Sequence, residues 1–207
     1  GLRYILEANQ RRKFRNSGSI IWQLNEPWPN VSATSLLEYY GIPKMAYYWA
    51  KNAFSHFYPS FSYQKLHFSS GELFAGKLWL FTDSAVEGGN AVLRAEILDE
   101  NGKVMADEKY SGMIKSNHSN YVGKLEWVVP DDFSGIFILR LSAEASGFTG
   151  RNLYYFSTQE YMPYQSALNG GKTEVNLRIL NRKRLSEGRK GVNVRIENKG
   201  SKAALHI

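Results

Sequence analysis

The stretch LFAGKLWLFT, residues 73–82, indicates the fold class because apolar residues alternate along it with small or polar ones. A period of two is typical of a β-strand with one face on a core. The same alternation recurs at residues 91–98, 121–129, 133–143 and 152–157. The tetrapeptide DENG, residues 99–102, ends in an Asn-Gly pair that readily adopts the positive φ of a hairpin turn. We therefore predict an antiparallel, immunoglobulin-like β-sandwich over residues 58–160.

Side-chain alternation also predicts which residues of the sandwich face its core. Every second residue of one predicted strand should lie on the same face. In the strand at 121–129 these residues are Tyr121, Gly123, Leu125, Trp127 and Val129. A tryptophan on such a face is usually buried. We therefore predict that Trp79 and Trp127 are core residues.

Residues 161–207 contain a linker and a second alternating region. Pro163 and the run NGG, residues 169–171, are typical of a linker. Alternating apolar residues then predict two strands, at 175–179 and 192–196, and a third begins near Ala203. Three strands cannot close a sandwich. This region is therefore either the start of a further, truncated β-sandwich or an extension of the preceding sheet.

Residues 1–57 have a different pattern, which predicts helix, strand and helix in turn. Leu2, Ile5 and Leu6 fall on one face of a helix over residues 2–15. The basic run RRKFR, residues 11–15, then lies at the C-terminal end of this helix, where cations suit the helix dipole. The apolar run at 19–24 predicts a short buried parallel strand, and Pro43 predicts the start of a second helix. We expect this segment to dock on the sandwich or to associate with another copy.

Composition excludes several classes of function. The 207 residues carry a formal net charge of +7, yet no zinc-finger spacing, aromatic RNA-binding signature or phosphate-cradling loop accompanies the cations, so we expect no nucleic-acid partner. The absence of cysteine excludes disulfides and thiolate metal sites. The four histidines are isolated and show no metal-ligand spacing, so no metal or cofactor is predicted. No run of 18 apolar residues exists, and no membrane partner is expected.

The most informative stretch for function is IIWQLNEPWPN, residues 20–30, where Trp22 and Trp28 flank Asn25 and Glu26. Aromatic faces stack on pyranose rings, and amide or carboxylate groups bond to sugar hydroxyls. An Asn-Glu pair also supplies the acid/base of barrel glycosidases at the end of the fourth strand. Four more strand–helix units should then follow, but here only one helix follows Glu26 before the β-rich region begins. Glu26 is therefore predicted not to be the catalytic acid.

Residues 11–59 resemble glycoside hydrolase family 2, and within it the β-mannosidase-like branch. That branch carries a Gly-x-x-x-Trp-Gln-Leu-Asn-Asp-x-Trp-Pro pattern on and after the last barrel strand. An Asp-Tyr-Tyr-Gly-x-x-Lys-like run and a helix into a β-sandwich follow it. The matching residues are Gly18, Trp22, Gln23, Leu24, Asn25, Trp28 and Pro29, then Tyr39, Tyr40, Gly41 and Lys44. Glu26 departs from the pattern, because the family usually has Asp there, and Pro27 follows it. The match covers about a quarter of the chain, and the β region resembles the family only in position and strand pattern.

The resemblance implies that residues 1–57 are the last helix–strand–helix segment of a (β/α)8 barrel. Family members hydrolyse terminal β-linked sugars with retention, using two carboxylates on the fourth and seventh barrel strands. Both positions would precede Gly1, so the chain is expected to be a C-terminal fragment of a mannosidase- or galactosidase-like enzyme that is inactive alone. Trp22 would form the platform under the sugar, Asn25 and Glu26 would bond to hydroxyls or fix the loop, and Trp28 would line the rim.

Purely structural roles are the alternative for these residues. Trp22 and Trp28 could be core residues at the junction with the sandwich, and Glu26 could pair with a nearby cation, which we favour over catalysis. For the whole chain, the alternatives are a non-catalytic carbohydrate-binding module or a structural β-sandwich. The resemblance favours a periplasmic or extracellular location in a bacterium. The sugar and the oligomeric state are left open, and the partners expected are a β-linked saccharide and the rest of the parent chain.

Overall fold

The computed structural model describes residues 1–30, 34–160, 173–184 and 190–200. Two helices precede nine strands along the chain. The helices are α1 (Leu2–Arg11) and α2 (Met45–Ala53), and the strands are β1 (Phe57–Ser62), β2 (Leu73–Thr82), β3 (Gly89–Asp99), β4 (Val104–Ile114), β5 (Ser119–Val128), β6 (Ile136–Ala145), β7 (Phe148–Ser157), β8 (Val175–Arg184) and β9 (Lys190–Asn198). None of these helices is long and apolar enough to cross a membrane.

Strands β1 to β7 form the predicted antiparallel β-sandwich. One sheet has the order β1-β2-β5 and the other has the order β4-β3-β6-β7. Every strand pair within them is antiparallel. The turn predicted at residues 99–102 joins β3 to β4, and Gly102 there has a φ of 84°. The alternation in sequence is therefore the alternation of inner and outer faces.

Aromatic side chains fill the centre of the sandwich. Phe74 and Phe156 approach with ring centroids 4.7 Å apart, and Phe137 contacts both rings. Phe61 and Phe68 complete this cluster from the β1 side, and all five are buried. Edge-to-face packing of this kind adds to the free energy gained by burying the rings. The two sheets are thus joined by a single apolar core.

Trp79 of β2 and Tyr121 of β5 were predicted to face the main core, and both predictions are wrong. Trp127 packs against the main core, as predicted. In the strand pairing, Gly123 lies opposite Leu78, but Tyr121 lies opposite the next residue, Trp79. One residue of β5 is therefore extra, and such a bulge moves the preceding side chains to the other face. Tyr121 consequently lies on the outer face. Trp79 lies there as well, because its neighbours Leu78 and Leu80 face the main core, and its ring contacts that of Tyr121.

Two strands of the sandwich carry little sequence signal. Strand β1 lies at the edge of its sheet and contains Pro59, a residue tolerated in strands mainly at such edges. Strand β4 is also an edge strand, and its side chains are largely exposed on both faces. Neither strand therefore shows the alternation that indicates a half-buried strand.

Helices α1 and α2 pack on the outer face of the three-stranded sheet. Leu6 of α1 and Ala50 of α2 are buried with Tyr58 and Phe81 of the sheet, and Leu36 joins this second apolar cluster. The expectation that the N-terminal segment docks on the sandwich is therefore confirmed. Burial of this outer face explains why β2 is apolar on both sides near its end.

Three details of the N-terminal prediction are wrong. Helix α1 ends at Arg11 instead of residue 15, and its buried face includes Glu7 while Ile5 is exposed. Residues 19–24, all within the described part, form no strand. A parallel barrel strand is stabilised by backbone hydrogen bonds to neighbours on both sides, and the described chain supplies no such neighbours to this stretch. Assignment of residues 1–57 to a barrel stays a prediction.

Strands β8 and β9 pair as a separate antiparallel hairpin. Val175, Leu177 and Ile179 lie opposite Asn198, Ile196 and Val194, so the two alternating runs predicted here do pair with each other. The predicted linker at 161–172 and the strand near Ala203 lie outside the described residues.

Candidate functional site

The four predicted contact residues lie on one loop, which we call the site loop (residues 19–30 and 34–44). Its two limbs are joined by main-chain hydrogen bonds. The Leu37 amide donates to the Leu24 carbonyl at 2.7 Å, and the Glu26 amide donates to the Leu37 carbonyl at 3.2 Å. The Lys44 amide donates to the Leu36 carbonyl at 2.9 Å, which ties the loop to the start of α2. The loop is therefore an ordered unit without being a strand.

Glu26 is the buried centre of the site loop, with only 3% of its surface exposed. Its carboxylate accepts a hydrogen bond from the Ser35 hydroxyl at 2.8 Å and forms an ion pair with the Lys44 ammonium group. The hydrogen bonds from Lys44 and then Ser35 hold the pKa of the Glu26 carboxyl below its ordinary value, and a backbone bond from Asn30 acts in the same direction. Glu26 therefore pairs with a cation, as the alternative interpretation predicts.

The side chains of Trp22 and Trp28 are exposed to solvent, in contrast to the buried Glu26. Their exposed fractions are 81% and 62%, so neither side chain is buried against the described sandwich. The interpretation of either as a core residue between a barrel and the sandwich stays a prediction. Asn25 is exposed as well, and the peptide bond joining Trp22 to Gln23 is cis. The loop thus presents two indoles and an amide on its surface and keeps its carboxylate inside.

The site loop rests on α1, and α1 is held by a buried carboxylate that the sequence pattern does not reveal. Glu7 is 1% exposed and accepts four side-chain hydrogen bonds. The donors are Tyr58 at 3.0 Å, Ser60 at 3.0 Å, Asn152 at 3.1 Å and Tyr154 at 2.8 Å. Burial is the main cause that raises the pKa of both Tyr58 and Tyr154, and the negative charge of Glu7 is the second. Their hydroxyls therefore stay protonated and act as donors.

Two arginines of α1 flank this buried carboxylate. Arg3 and Arg11 lie one turn before and after Glu7, with nitrogen–oxygen distances of 3.9 and 4.0 Å. The Arg3 guanidinium also lies 4.3 Å from the ring centre of Trp49, which belongs to α2. A buried charge is tolerated when it is paired and fully hydrogen-bonded. Helix α1 is therefore joined to both sheets and to α2 through one polar cluster.

Hydrogen bonds connect this anchored helix to the start of the site loop. The Asn9 amide donates to the Ser19 hydroxyl at 2.8 Å, three residues before Trp22. Beyond α1, the Lys13 ammonium group donates to the Thr82 carbonyl at 2.7 Å. The position of the loop is consequently set from the sandwich through α1.

Sequence reasoning missed Glu7, Ser35 and the role of Lys44. Glu7 lies beside the apolar face of α1, where a carboxylate normally stays in solvent, so only its tertiary partners explain its burial. Lys44 belongs to the run matched above, yet nothing in its spacing from Glu26 indicates a contact across a folded loop. Within the described ranges, no group of three or more His, Cys, Asp or Glu residues is placed to hold a metal ion.

Comparison with known proteins gives no match to a family model. Among curated proteins, the exo-beta-D-glucosaminidase of Hypocrea jecorina is 25% identical over 141 residues, which are 67% of this chain and 14% of that protein. The chain therefore spans about a seventh of the length of this relative.

Two solved glycosidases have the same fold over nearly the whole chain. The exo-chitosanase CsxA of Amycolatopsis orientalis superimposes with a TM-score of 0.70 at 18% identity, over 96% of this chain and 25% of that enzyme. A beta-D-mannosidase from Dictyoglomus thermophilum superimposes with a TM-score of 0.65 at 21% identity, over 95% of this chain and 22% of that enzyme. The identities are low, so these likenesses establish the fold.

Both comparisons agree with the resemblance stated from residues 11–59. The fold is common to the two solved glycosidases, and this chain corresponds to about a quarter of each of them. The chain accordingly has the fold of the C-terminal sandwich domain of glycoside hydrolase family 2 enzymes and resembles that part of the family.

Proposed function

We propose that this chain is the C-terminal part of a retaining β-glycosidase that hydrolyses terminal β-linked sugars. The observation that carries the proposal is the site loop, which exposes Trp22 and Trp28 around the locked Glu26. The similarity to glycosidases supports it, because each matched protein is several times longer than this chain.

Each site-loop residue has a distinct role in this proposal. Trp22 is the platform on which the C–H face of the terminal sugar stacks, and Trp28 lines the rim. Asn25 bonds to a sugar hydroxyl. The Glu26 carboxylate already accepts bonds from Lys44 and Ser35, so Glu26 shapes the loop and transfers no proton.

The catalytic carboxylates are placed elsewhere in the parent enzyme. A retaining mechanism uses two carboxyl groups about 5 Å apart, one as nucleophile and one as acid/base. We propose that both precede this chain, so that the sandwich supports the barrel and the chain alone is inactive. The proposed location is the periplasm or the exterior of a bacterium, which cell fractionation of the parent's host tests.

The matched proteins narrow the choice of sugars to test. Their names include a glucosaminidase, a chitosanase and a mannosidase. We therefore propose a terminal β-glucosaminide or β-mannoside as substrate. β-Galactosides and β-glucuronides serve as comparisons, because fold alone does not fix the substrate.

Activity of the parent enzyme and of this chain tests the proposal. We expect the parent to cleave one aryl β-glycoside of a panel containing glucosaminide, mannoside, galactoside and glucuronide. Proton NMR of the first-formed product should show the β-anomer, and the chain alone should show no turnover. An inactive parent, an α-anomer as first product, or turnover by the chain alone would contradict the proposal.

The second candidate, a carbohydrate-binding sandwich, is disfavoured by the distribution of exposed aromatic residues. In the described part of the sandwich, Tyr121 is the one exposed Phe, Tyr or Trp. A binding module of this type needs a row of such rings. The described residues 1–57 instead expose eight of them, including Trp22 and Trp28.

A further inference from the structure

A polar cavity of about 590 Å³ lies between the C-terminal half of α1, the basic turn that follows it and the end of α2. Its size falls within the range typical of small-molecule sites. It includes none of the four predicted contact residues. The basic run RRKFR contributes three of the residues that line it, namely Lys13, Phe14 and Arg15.

Phe14 presents its ring at this cavity from an unusual backbone conformation. Its φ is 69°, in the left-handed region that bulky residues rarely adopt, and 68% of its surface is exposed. Such a conformation is strained, and strained residues are concentrated at functional sites. Phe54, at the end of α2, is the second exposed ring on the cavity wall. The Phe14 ring contacts the His118 ring at a centroid distance of 5.4 Å, and the rest of its surface stays exposed. This exposed surface and the Phe54 ring are more than an inorganic anion requires.

Hydrogen-bonding groups on the cavity wall are left unused by the described residues. The side chains of Gln10, Arg15 and Ser17 make no hydrogen bond or ion pair among these residues, although all three line the cavity. Lys13 donates to the Thr82 carbonyl and lies near the Asp83 carboxylate, which partly compensates its charge. Of the described residues that line the cavity, none carries a carboxylate. Arg15 is a cation without a counter-charge among the described residues, and such a cation favours an anionic ligand.

We propose that this cavity binds an acidic oligosaccharide, a chain of sugars that carries carboxylate groups. Phe14 and Phe54 supply surfaces for the C–H faces of the sugar rings, and Gln10 and Ser17 bond to hydroxyls. Arg15 has the planar fork that pairs with a carboxylate through two hydrogen bonds. Binding here does not depend on the hydrolysis proposed above. The full-length parent is the test protein, because the chain is proposed to be one part of it.

Titration calorimetry with a tetrasaccharide of galacturonic acid tests the proposal, with cellotetraose and inorganic phosphate as comparison ligands. We expect saturable binding of the acidic tetrasaccharide and at least about tenfold weaker binding of the other two, since charge-assisted hydrogen bonds and stacking are both needed. Equal binding of cellotetraose would overturn the acidic ligand class. Equal binding of phosphate would overturn the assignment of a saccharide.

Variants distinguish a built site from general electrostatic attraction. Phe14→Gly removes the ring and relieves the backbone, so it should leave the thermal midpoint unchanged or raise it while weakening binding about tenfold. Arg15→Gln should weaken binding to a similar extent. Arg151→Gln is the matched control, because Arg151 is also exposed and makes no ion pair among the described residues. Wild-type affinity in Phe14→Gly or Arg15→Gln, or an equal loss in Arg151→Gln, would overturn the proposal.

Discussion

Glu26 shows how a single residue can hold an exposed loop together. The carboxylate is buried within a loop whose tryptophans face solvent, and Lys44 and Ser35 supply the partners that a buried charge requires. Since these bonds lower its folded pKa, ionised Glu26 stabilises the loop fully above the ordinary carboxyl pKa. That stabilisation is lost as the pH falls through the lowered value.

The first prediction concerns this titration. In an NMR pH series, the amides of Leu37 and Lys44 should shift together with a midpoint below about 4.3, the ordinary value for glutamate. Glu26→Gln should abolish this shared transition, because the side chain no longer ionises. Glu38→Gln, in the same loop, is the control and should preserve it. A shared midpoint at or above the ordinary value, or its survival in Glu26→Gln, would contradict our account of the loop.

Individual residues were predictable from the sequence where local pattern determines their environment. Trp127 was correctly assigned to the core because its strand alternates regularly there. Tyr121 was not, because a single extra residue in β5 reverses the faces and leaves no mark in the sequence. The pairing of Glu26 with a cation was anticipated, but the identity of Ser35 and Lys44 depends on how the two limbs of the loop meet.

At the scale of elements, the polar cluster around Glu7 determines how α1 sits on the sandwich. Helix α1 has ten residues, too few to be stable in isolation. Tyr58 and Ser60 belong to β1, whereas Asn152 and Tyr154 belong to β7 of the other sheet. One carboxylate thus binds the helix at the seam between the sheets.

The second prediction follows from this arrangement. Glu7→Gln keeps one accepting oxygen and replaces the other by a donating NH2 group. Two of the four donors then lose their acceptor, and the two arginines lose the negative charge beside them. We expect a loss of about 3 kcal/mol in the free energy of unfolding, measured in urea, as for other broken buried ion pairs.

Glu144→Gln provides the control for this measurement, since Glu144 is exposed on β6. Its effect should stay within about 0.5 kcal/mol. A similarly small effect of Glu7→Gln would show that the cluster does not anchor the helix.

Elements were predictable to the extent that one of their faces is buried. Strands β2 and β3 were found close to their predicted bounds because they face the core. The missed strands β1 and β4 lie at sheet edges, where proline and exposed side chains obscure the alternation. The apolar run at 19–24 predicted a strand, yet strand pairing depends on neighbours that no local pattern reveals.

For the molecule as a whole, the seam between β1 and β7 closes the sandwich. Gly150 of β7 has no room for a side chain there. A Cβ at this position would lie 2.7 Å from the Pro59 Cδ and 2.9 Å from the Phe57 carbonyl oxygen. Because one of these contacts is with backbone, the strands would have to separate to admit a methyl group.

The third prediction compares two glycines of the same sheet. Gly150→Ala should lower the free energy of unfolding by about 1–3 kcal/mol through overpacking. Gly112→Ala, in β4, meets nothing within 4 Å and should be neutral or slightly stabilising, since alanine restricts the unfolded chain. Equal effects of the two substitutions in a urea titration would contradict the close approach of β1 and β7.

Exposed aromatic residues are concentrated in the described part of residues 1–57 and are rare on the sandwich. Among the described residues, the sandwich exposes one aromatic side chain, Tyr121, whereas the segment docked on it exposes eight, among them Trp22 and Trp28. This division was partly predictable, because alternating strands bury aromatics and the run at 20–30 does not alternate. It agrees with a sandwich that positions a sugar-facing loop for the rest of an enzyme.

The most direct test of this account is kcat/KM of the full-length parent on its best aryl β-glycoside, with Trp22→Ala and Glu26→Gln measured beside the wild type. We expect Trp22→Ala to lower kcat/KM by at least about 30-fold, as for other tryptophan anchors. Glu26→Gln should retain most activity, and Tyr121→Ala, on the outer face of the sandwich, should retain all of it. Loss of turnover in Glu26→Gln alone, restored by azide with an activated substrate, would make Glu26 the acid/base and contradict the account.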